Sequence, residues 1–304
     1  MIADSMARHY AVMKRKISFF LNVAPWRRCA SYSSLMHIET PPTARPRGFT
    51  LVELVVVIVI VGILSALGGM IITNHMEGYS DMRRRAELVD SAESALRRMQ
   101  RDIRAALPNS IRTPSNQQIK FIHSTAGGRY RARPNASGGG DVLDFDSSDN
   151  ATDTIGRLNQ NSSGNIPPQM QNSTLVIYNT GQGAANAYNQ VNTAGDVTVT
   201  NAGRYDHLTF DPNHFPYRSP YQRFFLVDNK VRYTKSDSQL LREWSPFGED
   251  NWNEALMARH VQSANFTYHP GTPSRSGLVT LELTLSDEGE TVSLLHQVHV
   301  QNFP

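Results

Sequence analysis

Polar and apolar residues along this chain fall into three successive regimes. Residues 1–48 show no sustained period and carry Pro41, Pro42 and Pro46 near their end, which keeps the approach to residue 49 from being helical. Residues 54–72 are nineteen positions without a formal charge, relieved only by Gly62, Ser65, Gly68 and Gly69. At about 1.5 Å per residue such a run spans the roughly 30 Å apolar core of a bilayer as a helix. Beyond it Met82, Ala86, Val89, Ala92, Leu96, Met99 and Ile103 recur at steps of three and four, one apolar face of a 3.6-residue period. Arg83/Glu87, Glu93/Arg97 and Arg98/Asp102 stand four apart and are expected to brace the wetter faces. Pro108-Asn109 closes the pattern. A single helix over residues 49–107 is predicted, about 90 Å long.

After Pro108 the period drops to two. Strands are predicted over 118–124, 141–147, 174–180, 195–200, 207–211, 223–228, 230–235, 239–245, 264–270, 277–286 and 291–300. Val279, Leu281, Leu283 and Leu285 share one face, and "DEGE" turns the chain into a last strand that groups Val292, Leu294, Val298 and Val300, the pattern of a hairpin. Gly-, Asn- and Ser-rich stretches such as "RPNASGGGD" and "GRLNQNSSGNIPPQMQNS" read as loops. The expected fold is α+β: a long N-terminal transmembrane helical spine packed on a mostly antiparallel β-sheet head. The expected divisions are residues 1–48, a basic segment; 49–72, the membrane half of the helix; 73–107, its second half; and 108–304, the head.

Charge sharpens this division. The chain has a formal charge of +3, but eight of its 30 Lys and Arg and only two of its 27 acids lie in residues 1–48. From Phe49 onward 22 basic residues face 25 acidic ones, so the basic balance makes no case for nucleic-acid binding. Eight positive charges ahead of the apolar run put the N-terminus in the cytoplasm and the head on the periplasmic side. The one cysteine, Cys29, lies in the basic segment, so the head packs without disulfides. A conventional cleaved signal peptide has an apolar region of about 7–15 residues; this run is longer and continues into a charged helical pattern.

One acid stands out. In "RGFTLVELVVVIVIVGIL" Glu53 sits at the front edge of the lipid-compatible segment, where a carboxylate costs energy unless it is answered. The stretch resembles the processing and methylation signature of type IV prepilins and of the pseudopilins of type II secretion, and it covers about 25 residues. The resemblance implies a pilin-like fold and a cut between Gly48 and Phe49 by a membrane-embedded prepilin peptidase. The same enzyme would methylate the new amine of Phe49. Residues 1–48 would then be a cleaved leader, long for the family, with Met36 or Met13 as alternative starts. Glu53 is implied as the assembly residue, meeting a cationic Phe49 amine within the chain at i,i+4 or between chains. Other implied partners are major and minor pilin subunits, an inner-membrane assembly platform, and membrane lipid before assembly. The pairs Gly62/Ala66 and Ser65/Gly69 have the small-xxx-small spacing that lets helices approach closely in lipid. The ending "FTYHPGTPSRSGLVTLELTLSDEGETVSLLHQVHVQNFP" resembles that of minor pilin-like biogenesis proteins of the mannose-sensitive haemagglutinin (MSHA) pilus.

No catalytic, cofactor or metal site is expected. His296 and His299 are three apart in a strand and point to opposite faces. Asp206, His207, Asp211 and His214 match no established metal spacing. Asp144, Asp146, Asp149 and Asp153 lack the glycine and terminal glutamate of a helix-loop-helix calcium loop. Trp244, Phe247 and Trp252 read as aromatic packing beneath a loop rather than a contact patch.

Overall fold

The computed structural model describes residues 48–136, 138–158, 165–272 and 275–303; side chains of residues 67–77 are outside that description. Except for Gly48, the expected leader and Cys29 lie outside the described residues. The chain divides after Leu64 into two compact units. Helix α1 is Leu51–Arg104, 54 residues, shorter than the 59 predicted. At its end the sheet captures the backbone: the Leu107 N–H donates to the Ile122 carbonyl at 2.8 Å and the Ser124 N–H to the Ala105 carbonyl at 2.8 Å. Strand pairing of residues 105–107 therefore replaces the last predicted turn.

In the first unit the helix bears an apolar surface that none of the described residues of that unit covers. Twelve of the fourteen residues 51–64 are Leu, Val or Ile, and all twelve are exposed. Among the described residues no helix is long and apolar enough to cross a membrane. Residues 51–66 are sixteen positions, short of the roughly 20 that a span takes. The predicted span reaches on to Ile72, among residues whose side chains are outside the description.

Among the described residues the second unit holds twelve strands: β1 (Arg112–Ser115), β2 (Gln118–Arg129), β3 (Asp149–Asp153), β4 (Ser173–Ile177), β5 (Thr193–Asn201), β6 (Asp206–Asn213), β7 (Arg223–Ser236), β8 (Gln239–Pro246), β9 (Asn253–Ala258), β10 (Val261–His269), β11 (Gly277–Asp287) and β12 (Glu290–Val300). One sheet of nine runs β1-β2-β7-β4-β5-β6-β3, with β8 on β7 and β9 on β8; the other is β10-β11-β12. Every pairing is antiparallel. The two strands predicted over 223–228 and 230–235 are one, β7. Asn229 marks where β7 changes partner, from β4 along residues 224–227 to β8 along 229–236.

Two further departures have local causes. The strand predicted over 141–147 is absent, because side chains compete for its backbone. Asp149 Oδ2 accepts from the Asp144 N–H at 2.7 Å, and Asp144 accepts from the Asp146 N–H at 2.8 Å and the Ser147 hydroxyl at 2.6 Å, so the segment turns. Conversely "NEALMA" forms β9 although its residues favour helices; pairing with β8 overrides that weak preference.

The core joins helix to both sheets. Leu88, Ala92, Ala95, Leu96, Met99 and Ile103 of α1 pack with Ile119, Phe121 and Val231 of one sheet and Phe266, Leu281 and Leu283 of the other. As the alternation predicts, Val279, Leu281, Leu283, Leu285 and Val298 are completely buried and Val292 and Val300 nearly so, while Leu294 of the predicted group is half-buried. Each such side chain contributes about 1.5–3 kcal/mol relative to exposure. The predicted helical stripe is corrected at its start: Met82 and Ala86 are exposed, Val89 is half-buried, and Leu88 takes the inward position. A second core gathers Tyr130, Leu175, Val197, Leu208, Phe210, Phe215 and Phe224.

Polar contacts fix the helix along the three-stranded sheet. Arg84 pairs with Asp287 and Glu288, and Arg85 reaches Glu290 at 4.0 Å, so the "DEGE" turn is an ion-pair partner as well as a reversal. Eighteen residues after Arg84, Asp102 is only 7% exposed. It accepts from Arg242 Nε at 2.8 Å and the Tyr233 hydroxyl at 2.9 Å, and forms an ion pair with Arg98 Nε at 3.0 Å. The expected Arg98/Asp102 pair exists, but Asp102 is a buried anchor and not a brace on a wet face. Burial, then the adjacent Asp102 charge, pushes the Tyr233 hydroxyl pKa up.

Candidate functional site

The segment that carries the processing signature is built around the first turn of α1. Gly48, Phe49 and Thr50 are non-helical and exposed, Phe49 at 78%. Among the described residues a Cβ placed on Gly48 would meet nothing within 4 Å. The helix starts one residue after Thr50. The Thr50 hydroxyl accepts from the Glu53 N–H at 3.2 Å, and the Thr50 carbonyl accepts from the Leu54 N–H at 3.2 Å. Thr50 is therefore the N-cap and Glu53 the third helical residue, the spacing of a capping box.

This geometry changes the reading of Glu53 in two ways. First, a carboxylate in the first turn faces the positive end of the helix dipole, which favours it by a few tenths to about 1 kcal/mol. Second, Phe49 stands ahead of the N-cap, outside the helix, so the four-residue interval between Phe49 and Glu53 is not a helical i,i+4 pair. Helix geometry does not bring the two together within one chain. The sequence reading gives Thr50 no role; Thr-x-x-Glu immediately before an apolar run is the signal that identifies it.

Gly62, Ser65 and Ala66 are exposed, and a Cβ on Gly62 would find open space. Gly69 falls among residues whose side chains are outside the description. In the second unit Met82, Ala86 and Val89 line a shallow apolar groove of about 470 Å³, edged by Arg85, Asp90 and Glu93.

The remaining candidates are engaged locally. His207 Nδ1 pairs with Asp153 at 2.9 Å, Asp206 accepts from the Leu158 N–H at 2.6 Å, and His214 Nε2 lies 2.9 Å from the Phe145 carbonyl. Asp206, His207, Asp211 and His214 thus do not converge. Asp144 is held below the usual carboxylate range, first by the Ser147 hydroxyl and then by backbone N–H groups; its turn is internally satisfied. Among the described residues no three His, Cys, Asp or Glu are grouped to hold a metal ion. Trp244 packs on the first core, Phe247 joins a smaller cluster with Leu107 and Val176, and Trp252 lies under Arg232 at 4.1 Å. This is the packing role expected of them.

Residues 43–69 match the family model described as the prokaryotic N-terminal methylation motif. No curated protein and no solved structure matches the chain. The motif supports a protein of the pilin or pseudopilin type, a structural subunit rather than an enzyme. It implies processing by a prepilin peptidase, membrane anchoring, and assembly with other pilin subunits.

Proposed function

We propose that this chain is a minor pilin-like subunit of a type IV pilus of the MSHA type, similar to the biogenesis protein MshO, acting in assembly, initiation or at the tip. Cutting at Gly48/Phe49 releases residues 1–48, and the peptidase then methylates the Phe49 amine. The observation that carries this reading is the methylation motif over residues 43–69 opening directly onto a helix with twelve exposed Leu, Val and Ile in residues 51–64. Covering each would gain about 1.5–3 kcal/mol, and two environments can cover them in turn. Before assembly it is lipid, with the N-terminus cytoplasmic and the head periplasmic. Afterwards it is the helices of neighbouring subunits, approaching closely along Gly62, Ser65, Ala66 and Gly69.

Glu53 supplies the register. A charged amine on Phe49 survives methylation, and with Phe49 outside the helix, the partner for that amine is the Glu53 of an adjacent subunit. Opposite charges at low effective dielectric attract strongly, although desolvation takes back much of the gain. A head of nearly 200 residues is bulky for a subunit repeated along a shaft and sits more easily at a tip.

The same motif serves an alternative, a minor pseudopilin of the J class in a type II secretion system. Deleting the gene in its native cell separates the two. Loss of sheared surface pili with secretion intact is the expected result. Loss of type II secretion with normal pili contradicts the pilus reading, and an effect on neither contradicts both.

A further inference from the structure

The head contains a cleft that the filament role does not use. It opens between the residues after β2, the residues after β3 and the β5–β6 turn, and has a volume of about 550 Å³, within the range of small-ligand sites. Arg131, Arg133 and Arg204 line it together with Tyr205, Ile155 and Gly156, and among the described residues no Asp, Glu or Lys does. Arg84, Arg97, Arg98, Arg218, Arg232 and Arg242 are each paired with a carboxylate. Among the described residues Arg133 and Arg204 have no ion pair, and both are exposed.

Arg131 is differently placed. Its side chain is 17% exposed and its guanidinium lies over the Tyr205 ring at 5.3 Å. Its Nε is buried and donates to no acceptor among the described residues. The nearest carboxylate oxygen, Asp153 Oδ2, is 3.5 Å away, beyond the 2.7–2.9 Å of a charge-assisted hydrogen bond. Asp153 is also shared: Oδ1 meets His207 at 2.9 Å and Oδ2 accepts from the Asp141 N–H at 2.9 Å. The pair therefore leaves the cleft cationic, with one arginine fixed in place and two free to close on what enters. Tyr205 and the 51%-exposed Ile155 add apolar surface beside the three guanidinium groups.

We infer that this cleft binds an oxyanion, carboxylate or sulfate, carried on a sugar-sized ligand. The planar guanidinium forks match the oxyanion, bidentate where geometry allows. Tyr205 and Ile155 take up the C–H face of the ring that bears it. A bare inorganic ion would use the arginines and leave the apolar wall without a partner. The inference is independent of which filament the chain joins.

The test is titration of the full chain in detergent micelles, read by calorimetry, with four probes: trigalacturonic acid, glucose 6-sulfate, inorganic sulfate and neutral maltotriose. Saturable binding of one or both charged sugars is expected, weakening as salt rises. Arg133→Ala/Arg204→Ala should weaken it at least tenfold with an unchanged melting temperature. Arg131→Lys, which keeps the charge and loses the fork, should also weaken it. Arg97→Ala, a charge change remote from the cleft, should leave it unaltered. Trigalacturonic acid binding without glucose 6-sulfate assigns a carboxylate site, and the reverse a sulfate site. No binding of either, inorganic sulfate binding as tightly as the sugars, maltotriose binding equally, or retention of affinity in the double variant would each overturn the inference.

Discussion

Arg242 donates from Nε to Asp102 Oδ2 across 2.8 Å, joining β8 to the last turn of a helix that enters the head from the processing segment. Tyr233 of β7 donates to the same oxygen. One buried carboxylate thus ties α1 to two adjacent strands of the nine-stranded sheet, while Arg84 and Arg85 tie the helix to the β11–β12 turn. The helix is thus held to the head at two levels, and the more buried one is Asp102.

Asp102→Ala is accordingly expected to destabilise the head by about 3 kcal/mol, the cost of leaving a largely buried charge without its partner. Arg98→Ala removes a contact that is 47% exposed and should cost under about 1 kcal/mol. Urea denaturation of the full chain in detergent measures both. Equal midpoints for the two variants would show that Asp102 is not the anchor.

The pH dependence of stability has two opposing contributions. Burial pushes Glu243 up, but hydrogen bonds from Arg232 and Thr234 outweigh it and leave its carboxyl below the ordinary value of 4.5. Its stabilisation is complete above that value and is lost as pH falls through the folded pKa. Burial, and then the charge of Asp149, raises Asp141 above its ordinary 3.8. Its contribution favours the fold at low pH and fades as pH rises through the folded pKa. Glu243→Gln should flatten the acid limb of a urea-midpoint profile from pH 3 to 7. Asp141→Asn should raise the neutral end. Parallel profiles for both variants and the parent would contradict these assignments.

These relations differ in how far the sequence discloses them. The hairpin of β11 and β12 is legible because alternation is a local property: Val279, Leu281, Leu283 and Leu285 face inward whatever the rest of the chain does. The helix is legible for the same reason, yet its period says nothing about what covers each face. Met82 and Ala86 continue the apolar stripe and lie exposed, while Leu88 turns in. Asp102 reads as the partner of Arg98, four residues away, because Arg242 is 140 positions distant. The 141–147 segment has a strand's alternation, but Asp144 and Asp149 offer its backbone better partners than a neighbouring strand. The arginine cleft draws on three separate connections, and no linear pattern marks it. At the processing segment the motif is plain in "GFTLVE", and the cap at Thr50 is carried by the same letters.

Glu53→Ala is expected to leave membrane insertion and cutting intact while lowering incorporation into filaments several-fold, since the Thr50 cap is made to the backbone N–H of residue 53 and survives the change, while the carboxylate proposed for docking is lost. Fractionation of sheared filaments against membranes measures the split. Undiminished incorporation would remove Glu53 from the assembly step.

On the proposed reading the functional chain begins at Phe49 with a methylated, cationic amine. Mass spectrometry of the protein from its native cells tests it most directly. A terminal peptide starting at N-methylated Phe49, with none extending upstream in the mature population, is the predicted result. A mature population that retains an uncut peptide running from Arg47 through Thr50 would contradict it.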